Sequence, residues 1–150
     1  MRKSLAFGLC FLLICSMIIP VTIGYNIRNK VKQQQIDLGN GNILYVGGSG
    51  PNNYTKIQDA LNNAGDGFTV FVFDDLSPYK EKIEINYEVF LIGENKETTI
   101  IYGNGSKDVV TVNANNVTIK EFNIQNSGTE FENADINATG SYNISIVNNN

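Results

Sequence analysis

The chain has no histidine, and its two cysteines and two methionines all precede Gly24. Beyond that point there is no thiol for a disulfide, and no thiolate, imidazole or thioether to hold copper or zinc. Ligand chemistry therefore excludes a soft-metal site and a copper-delivery role, and no cofactor is expected. Arginine is nearly missing too, represented by Arg2 and Arg28. Setting aside Arg2 and Lys3 lowers Lys plus Arg from 11 to 9 against 15 Asp plus Glu, a net charge of −6. An acidic chain without a basic patch repels nucleic acid, so no nucleic-acid partner is expected. Long apolar runs are also absent, with one exception at the start.

That exception runs from Leu5 to Ile19, follows Arg2 and Lys3, and holds Ser16 as its one conventionally polar residue. Pro20 ends it, and Thr22 and Gly24 are the small residues of a cut before Tyr25. The pattern is that of a secretory signal over residues 1–24. Its apolar core falls short of the ~20 residues that a spanning helix prefers, so no stable membrane span is expected after cleavage. Retention as an anchor is the competing reading, because no charge lies between Lys3 and Arg28. Cys10 and Cys15 follow Leu9 and Ile14, not the small residue that precedes a lipidated cysteine. A secreted, extracellular or cell-surface location is the expectation.

Residues 25–42 read as a polar leader or linker, with Ile36, Asp37 and Leu38 facing Ile43–Val46 across a Gly/Asn turn as a possible small hairpin. Residues 43–150 read as the body. Ile57, Ala60, Leu61 and Ala64 keep the spacing of one apolar helix face, with Asn53 or Thr55 as the cap and Gly65 as the stop. Short strands follow, predicted over 69–73, 82–85, 89–92, 99–102, 109–112, 117–119, 122–125 and 143–147, broken by Gly and Asn turns. Asn143-Ile-Ser-Ile146 echoes Asn116-Val-Thr-Ile119 after 27 positions. A strand-turn unit repeated at that period cannot bury its own apolar face, so the units must stack. Twenty-two asparagines in residues 25–150 suit such corners, where Asn tolerates left-handed backbone and can stack on Asn in the next layer. The expected fold is all-β, a parallel β-helix whose first layer the helix covers.

The ordered motifs are Tyr45-Val-Gly-Gly-Ser-Gly50, Tyr54-Thr-Lys-Ile-Gln-Asp-Ala-Leu61, Gly65-Asp-Gly-Phe-Thr-Val-Phe-Val72, Ser77-Pro-Tyr79, Leu91-Ile-Gly-Glu94 and the repeat from Asn116 to Asn126. Through them residues 44–150 resemble archaeal secreted proteins with right-handed parallel β-helix repeats, the group called pectin-lyase-like or NosD-like. The resemblance implies a right-handed solenoid, export, and roles that range over carbohydrate binding, carbohydrate cleavage and surface display. Its cleaving members place their catalytic residues on middle coils, which this chain barely reaches. Such relatives usually run to more coils, and no polar cap follows the last strand before Asn148-Asn-Asn150. The chain therefore reads as truncated at its C-terminal end, or as docking its last layer on a partner.

Asp74 and Asp75, with Glu81 and Glu84, form the densest carboxylate group and are weak metal candidates. Neighbours on an extended strand point oppositely, so they cooperate only within a turn; a solvated loop is the plainer reading. Lys80, Lys82, Lys107 and Lys120 are candidate lyase bases in principle, but an acidic chain raises the pKa that such a base needs lowered. The glycines 47–50 lack the rest of a phosphate loop, and Asn52 stands where a calcium repeat has aspartate. Sequons occur at Asn53, Asn104, Asn116, Asn137 and Asn143, and the loop positions Asn53 and Asn104 suit a glycan better than the strand edges. Tyr79, Tyr87 and Tyr102 are the candidates for stacking on sugar rings, while Phe68, Phe71 and Phe73 read as core or cap contacts. No catalytic residue is assigned. The functional expectation is a carbohydrate-binding, structural or adhesive module whose partner is a polysaccharide or surface glycan. The alternative is the N-terminal part of a polysaccharide lyase or glycoside hydrolase with its catalytic coils beyond residue 150.

Overall fold

The computed structural model describes residues 42–150. The signal segment 1–24 and nearly all of the leader 25–42 lie outside the described residues. Ten short strands and one helix follow in the order β1 (Ile43–Val46), α1 (Ile57–Asn62), β2 (Phe68–Val72), β3 (Ile83–Ile85), β4 (Val89–Gly93), β5 (Ile100–Tyr102), β6 (Val110–Val112), β7 (Thr118–Lys120), β8 (Asn123–Gln125), β9 (Ile136–Asn137) and β10 (Ser145–Val147). Every pairing is parallel. The strands form three sheets, ordered β1-β2-β4-β7-β10, β3-β6-β9 and β5-β8. One coil visits each sheet in turn, and about four coils stack into a solenoid.

Apolar rows run up the inside of the stack. Leu44, Val70, Leu91, Ile119 and Ile146 are aligned partners on five successive strands. Ile83, Val110 and Ile136 form a second row, and Tyr79, Ile101 and Ile124 a third. Three-residue strands permit this because alternate side chains face opposite sides. In β3 and β6 the first and third residues are buried; in β5, β7 and β8 the middle one is. Each inward side chain meets its counterpart about 4.8 Å above and below, so rows of β-branched residues pack continuously.

The echo at 27 positions is the register itself, since Ile119 pairs with Ile146. Asparagine does at the corners what its chemistry allows. Asn116 and Asn143 both have φ of +56°, and Asn143 Nδ2 donates to Asn116 Oδ1 at 2.8 Å. Asn116 Nδ2 in turn donates to Glu88 Oε2 at 2.8 Å, which extends the ladder one layer further. Asn113 donates to Asn86 in the same manner at 3.0 Å. At another corner Gly93, Glu121 and Asn148 occupy equivalent places, and a Cβ on Gly93 would collide with the Glu121 carbonyl. The chain passes too closely there for a side chain.

The helix covers the first layer as expected: Ile57, Ala60, Leu61 and Ala64 join the core. Its cap differs from the expectation. Neither Asn53 nor Thr55 caps it; Lys56 holds the N-cap position without a side-chain bond. The Glu81 carboxylate, from the coil above, accepts the N–H groups of Ile57 at 2.9 Å and Gln58 at 3.1 Å. A carboxylate suits that place because the first helical N–H groups have no partner of their own and carry partial positive charge.

Two further differences concern the strands. β1 is the first layer of the solenoid, parallel to β2, and the other arm of the anticipated hairpin lies outside the described residues. β9 was not expected: Ile136 aligns with Val110 although its surroundings carry no strand-like alternation. Among the described residues no buried side-chain nitrogen or oxygen lacks a partner, and no helix is long and apolar enough to cross a membrane.

Candidate functional site

A groove of about 400 Å3 opens beside the β5-β8 sheet. Neighbouring positions on three coils build it. Lys80 follows the inward Tyr79 and Tyr102 follows the inward Ile101, and both line the groove, while the third coil contributes Asn126. Tyr102 is 38 % exposed and lines the groove. Lys80, Lys82, Asn104 and Asn126 line it together with Tyr102. Gly103 keeps the floor low. A Cβ there would lie 2.5 Å from the Asn126 carbonyl oxygen, while Asn126 Nδ2 donates to the Gly103 carbonyl at 2.6 Å.

Lys82 Nζ donates to the Ser106 carbonyl at 3.2 Å and tethers the loop after β5. Among the described residues Lys80 has no ion-pair partner; the one pair present is Lys96 with Glu97. Glu81 lines the groove, but both its carboxylate oxygens bond the start of α1. The groove thus combines an aromatic face, a free ammonium and side-chain amides. Such a set can stack and hydrogen-bond a polar ligand that lies along it.

Asp74 and Asp75 are drawn to different partners. Both oxygens of Asp75 accept the Gly48 N–H, at 2.9 and 3.0 Å, and Asp74 Oδ2 accepts the Thr98 hydroxyl at 2.6 Å. The glycine loop is thereby docked on the next coil. A Cβ on Gly47, whose φ is +74°, would strike Asp75 and the Tyr79 hydroxyl. Among the described residues no three His, Cys, Asp or Glu side chains converge as a metal site.

The three candidate tyrosines part company. Tyr79 is 3 % exposed within the core, and its hydroxyl donates to the Phe73 carbonyl at 2.7 Å. Burial, and then the negative charges of Asp75, Glu81, Asp74 and Glu94, push that phenol well above the usual tyrosine range. Tyr102 in the groove and Tyr87 at the corner between β3 and β4 are exposed, and Tyr79 is not. Phe71 and Phe73, expected in the core or cap, instead make an outer cluster with Tyr45, the Tyr45 and Phe73 rings stacking at 6.0 Å. The alternation of Val70, Phe71, Val72 and Phe73 gives both faces of that strand apolar character, which is the signal for a second patch.

The sequons are also sorted. Asn116, Asn137 and Asn143 use their amides between coils, and Asn53 Nδ2 donates to the Gly47 carbonyl at 2.6 Å. Asn137 Nδ2 reaches Asp108 at 2.8 Å, and with the Ala134 N–H it holds the Asp108 carboxyl below its ordinary value of 3.8. Asn104 is exposed at the groove rim.

Fold and site together define a parallel β-solenoid with a helix over its first layer and an aromatic groove on one side. No family model, curated protein or solved structure matches the chain. The solenoid implied by the resemblance is present; membership of the pectin-lyase-like or NosD-like group is not thereby established.

Proposed function

We propose that the chain is an exported β-helix module of the pectin-lyase-like or NosD-like kind that binds an extended saccharide along the β5-β8 side, without chemistry of its own. The observation that carries this reading is Tyr102, an exposed ring in a groove flanked by the unpaired Lys80 and by Asn104 and Asn126. Sugar rings have apolar faces and hydroxyl rims, and an amphipathic aromatic with amides beside it meets both. The solenoid repeats its outward positions about every 4.8 Å, which favours a linear ligand over a compact one.

Affinity electrophoresis against a panel of soluble polysaccharides tests it. One or more should retard the protein. Tyr102→Ala should weaken that binding by at least about tenfold, an ordinary loss for a buried aromatic anchor, whereas Tyr87→Ala leaves it near the parent value. No retardation by any polysaccharide, or equal effects of the two substitutions, overturns the reading. Release of new chain ends from the bound polysaccharide would favour the rival enzyme reading instead.

A further inference from the structure

We propose that Asn104 is the acceptor for an N-linked glycan on the folded protein, and that the other four sequons are closed by the fold. Transfer requires a sequon whose side-chain amide nitrogen is exposed and unengaged, on a loop that a transferase can reach. Asn104 meets each condition. Its Oδ1 accepts the Ser106 N–H at 3.2 Å and the Ser106 hydroxyl at 2.8 Å. Among the described residues its Nδ2 has no partner, and residues 104–107 are all exposed between β5 and β6. Gly105, at φ +74°, has no atom within 3.4 Å of where a Cβ would stand, and its N–H donates to the Asn126 carbonyl at 3.0 Å.

Asn137 is the internal control. Its Oδ1 accepts the Thr139 N–H at 3.0 Å and the Thr139 hydroxyl at 2.7 Å, the same local turn as at Asn104. Its nitrogen, however, is held by Asp108 at 2.8 Å, and the residue is half-buried in β9. Asn53, Asn116 and Asn143 donate to Gly47, Glu88 and Asn116 respectively. A glycan on either of the last two would also break the ladder that joins the layers.

The reaction is a group transfer from a saccharide carried on a lipid phosphate or pyrophosphate. Asn104 Nδ2 bonds the anomeric carbon, that carbon's bond to the phosphate oxygen breaks, and the lipid phosphate departs with the electron pair. One amide proton passes to a base of the transferase. The product stands at the mouth of the groove beside Tyr102, but the proposal does not depend on what the groove binds.

The test uses the purified, folded chain with a single-subunit oligosaccharyltransferase and its lipid-linked donor. The enzyme is first chosen to accept short peptides spanning each of the five sequons. Glycopeptide mass spectrometry should find the glycan on Asn104, with every other sequon at least about tenfold slower, the factor that an engaged amide of ordinary bond strength imposes. Asn104→Gln should take none. Asp108→Ala, which releases the Asn137 nitrogen, should make Asn137 a second acceptor. An unmodified Asn104 in the folded chain, or another sequon modified as fast, overturns the proposal.

Discussion

Val46 on β1 is fully buried beneath α1, whereas Ile146 on β10 stands 48 % exposed although it continues the row through Ile119 and Leu91. The two strands have similar apolar content and the same parallel pairing. What separates them is the neighbour on the far side: the helix at one end, no described layer at the other. In a stacked fold a residue's burial is a property of the layers around it more than of its own hydrophobicity. The edges differ in the same sense, because the first layer is joined to the second by a carboxylate cap, whereas β10 is joined to β7 by backbone bonds and by the amides of the flanking Asn143 and Asn148.

Truncation within the common row should expose this contrast most strongly. Ile119→Ala, between two layers, should cost about 2–5 kcal/mol in urea unfolding, and Ile146→Ala less than about 1.5 kcal/mol. Equal losses would mean that Ile146 is covered in solution as fully as Ile119. Next in size is Glu81→Ala, which strips the cap from α1. A loss of about 1–2 kcal/mol is expected, with hydrogen exchange accelerating at the Ile57 and Gln58 amides before any β10 amide responds.

The asparagine ladder gives a finer graded comparison. Glycine keeps the positive φ while deleting the side chain, so Asn116→Gly removes two ladder bonds and Asn143→Gly one. The first should cost about 1–2 kcal/mol and the second about half that. Identical effects would show that backbone geometry, not the amide ladder, selects asparagine there.

Acid provides the smallest and most local test. The folded Asp108 carboxyl lies below its ordinary value of 3.8, so its contribution is complete above that pH and disappears as pH falls through the lower folded value. Exchange at the Ala134 amide, which Asp108 accepts, should therefore rise in acid while the Leu91 amide in the central ladder stays protected. Asp108→Asn should abolish that step. A pH-independent Ala134 amide would rule the carboxylate out as its anchor.

Much of this architecture was legible because stacking imposes a local period. The four residues from Asn116 and their echo from Asn143 were enough to give the β7-β10 register, and the helix spacing at Ile57, Ala60, Leu61 and Ala64 gave its buried face. Features that depend on contacts between coils were not legible. Glu81 caps a helix 24 residues earlier, where sequence rules look for a neighbour such as Asn53 or Thr55. β9 carries too few apolar residues to announce itself, and its partners β6 and Asp108 supply the order that its own sequence lacks. Tyr79 and Tyr102 look alike as isolated tyrosines; one position of register sends the first inward and the second into the groove. For the same reason five equivalent sequons separate only once the acceptors of their nitrogens are known.

Successive partners in the longest sheet lie 26, 21, 28 and 27 residues apart, yet each strand finds its register. Corners absorb differences of several residues that no strand could tolerate, since a slip of one would turn every side chain over. Such a molecule can be lengthened by copying. A duplicated segment of 27 residues, cut anywhere in a corner, would meet its own template and add one more storey without rewriting any of those beneath it.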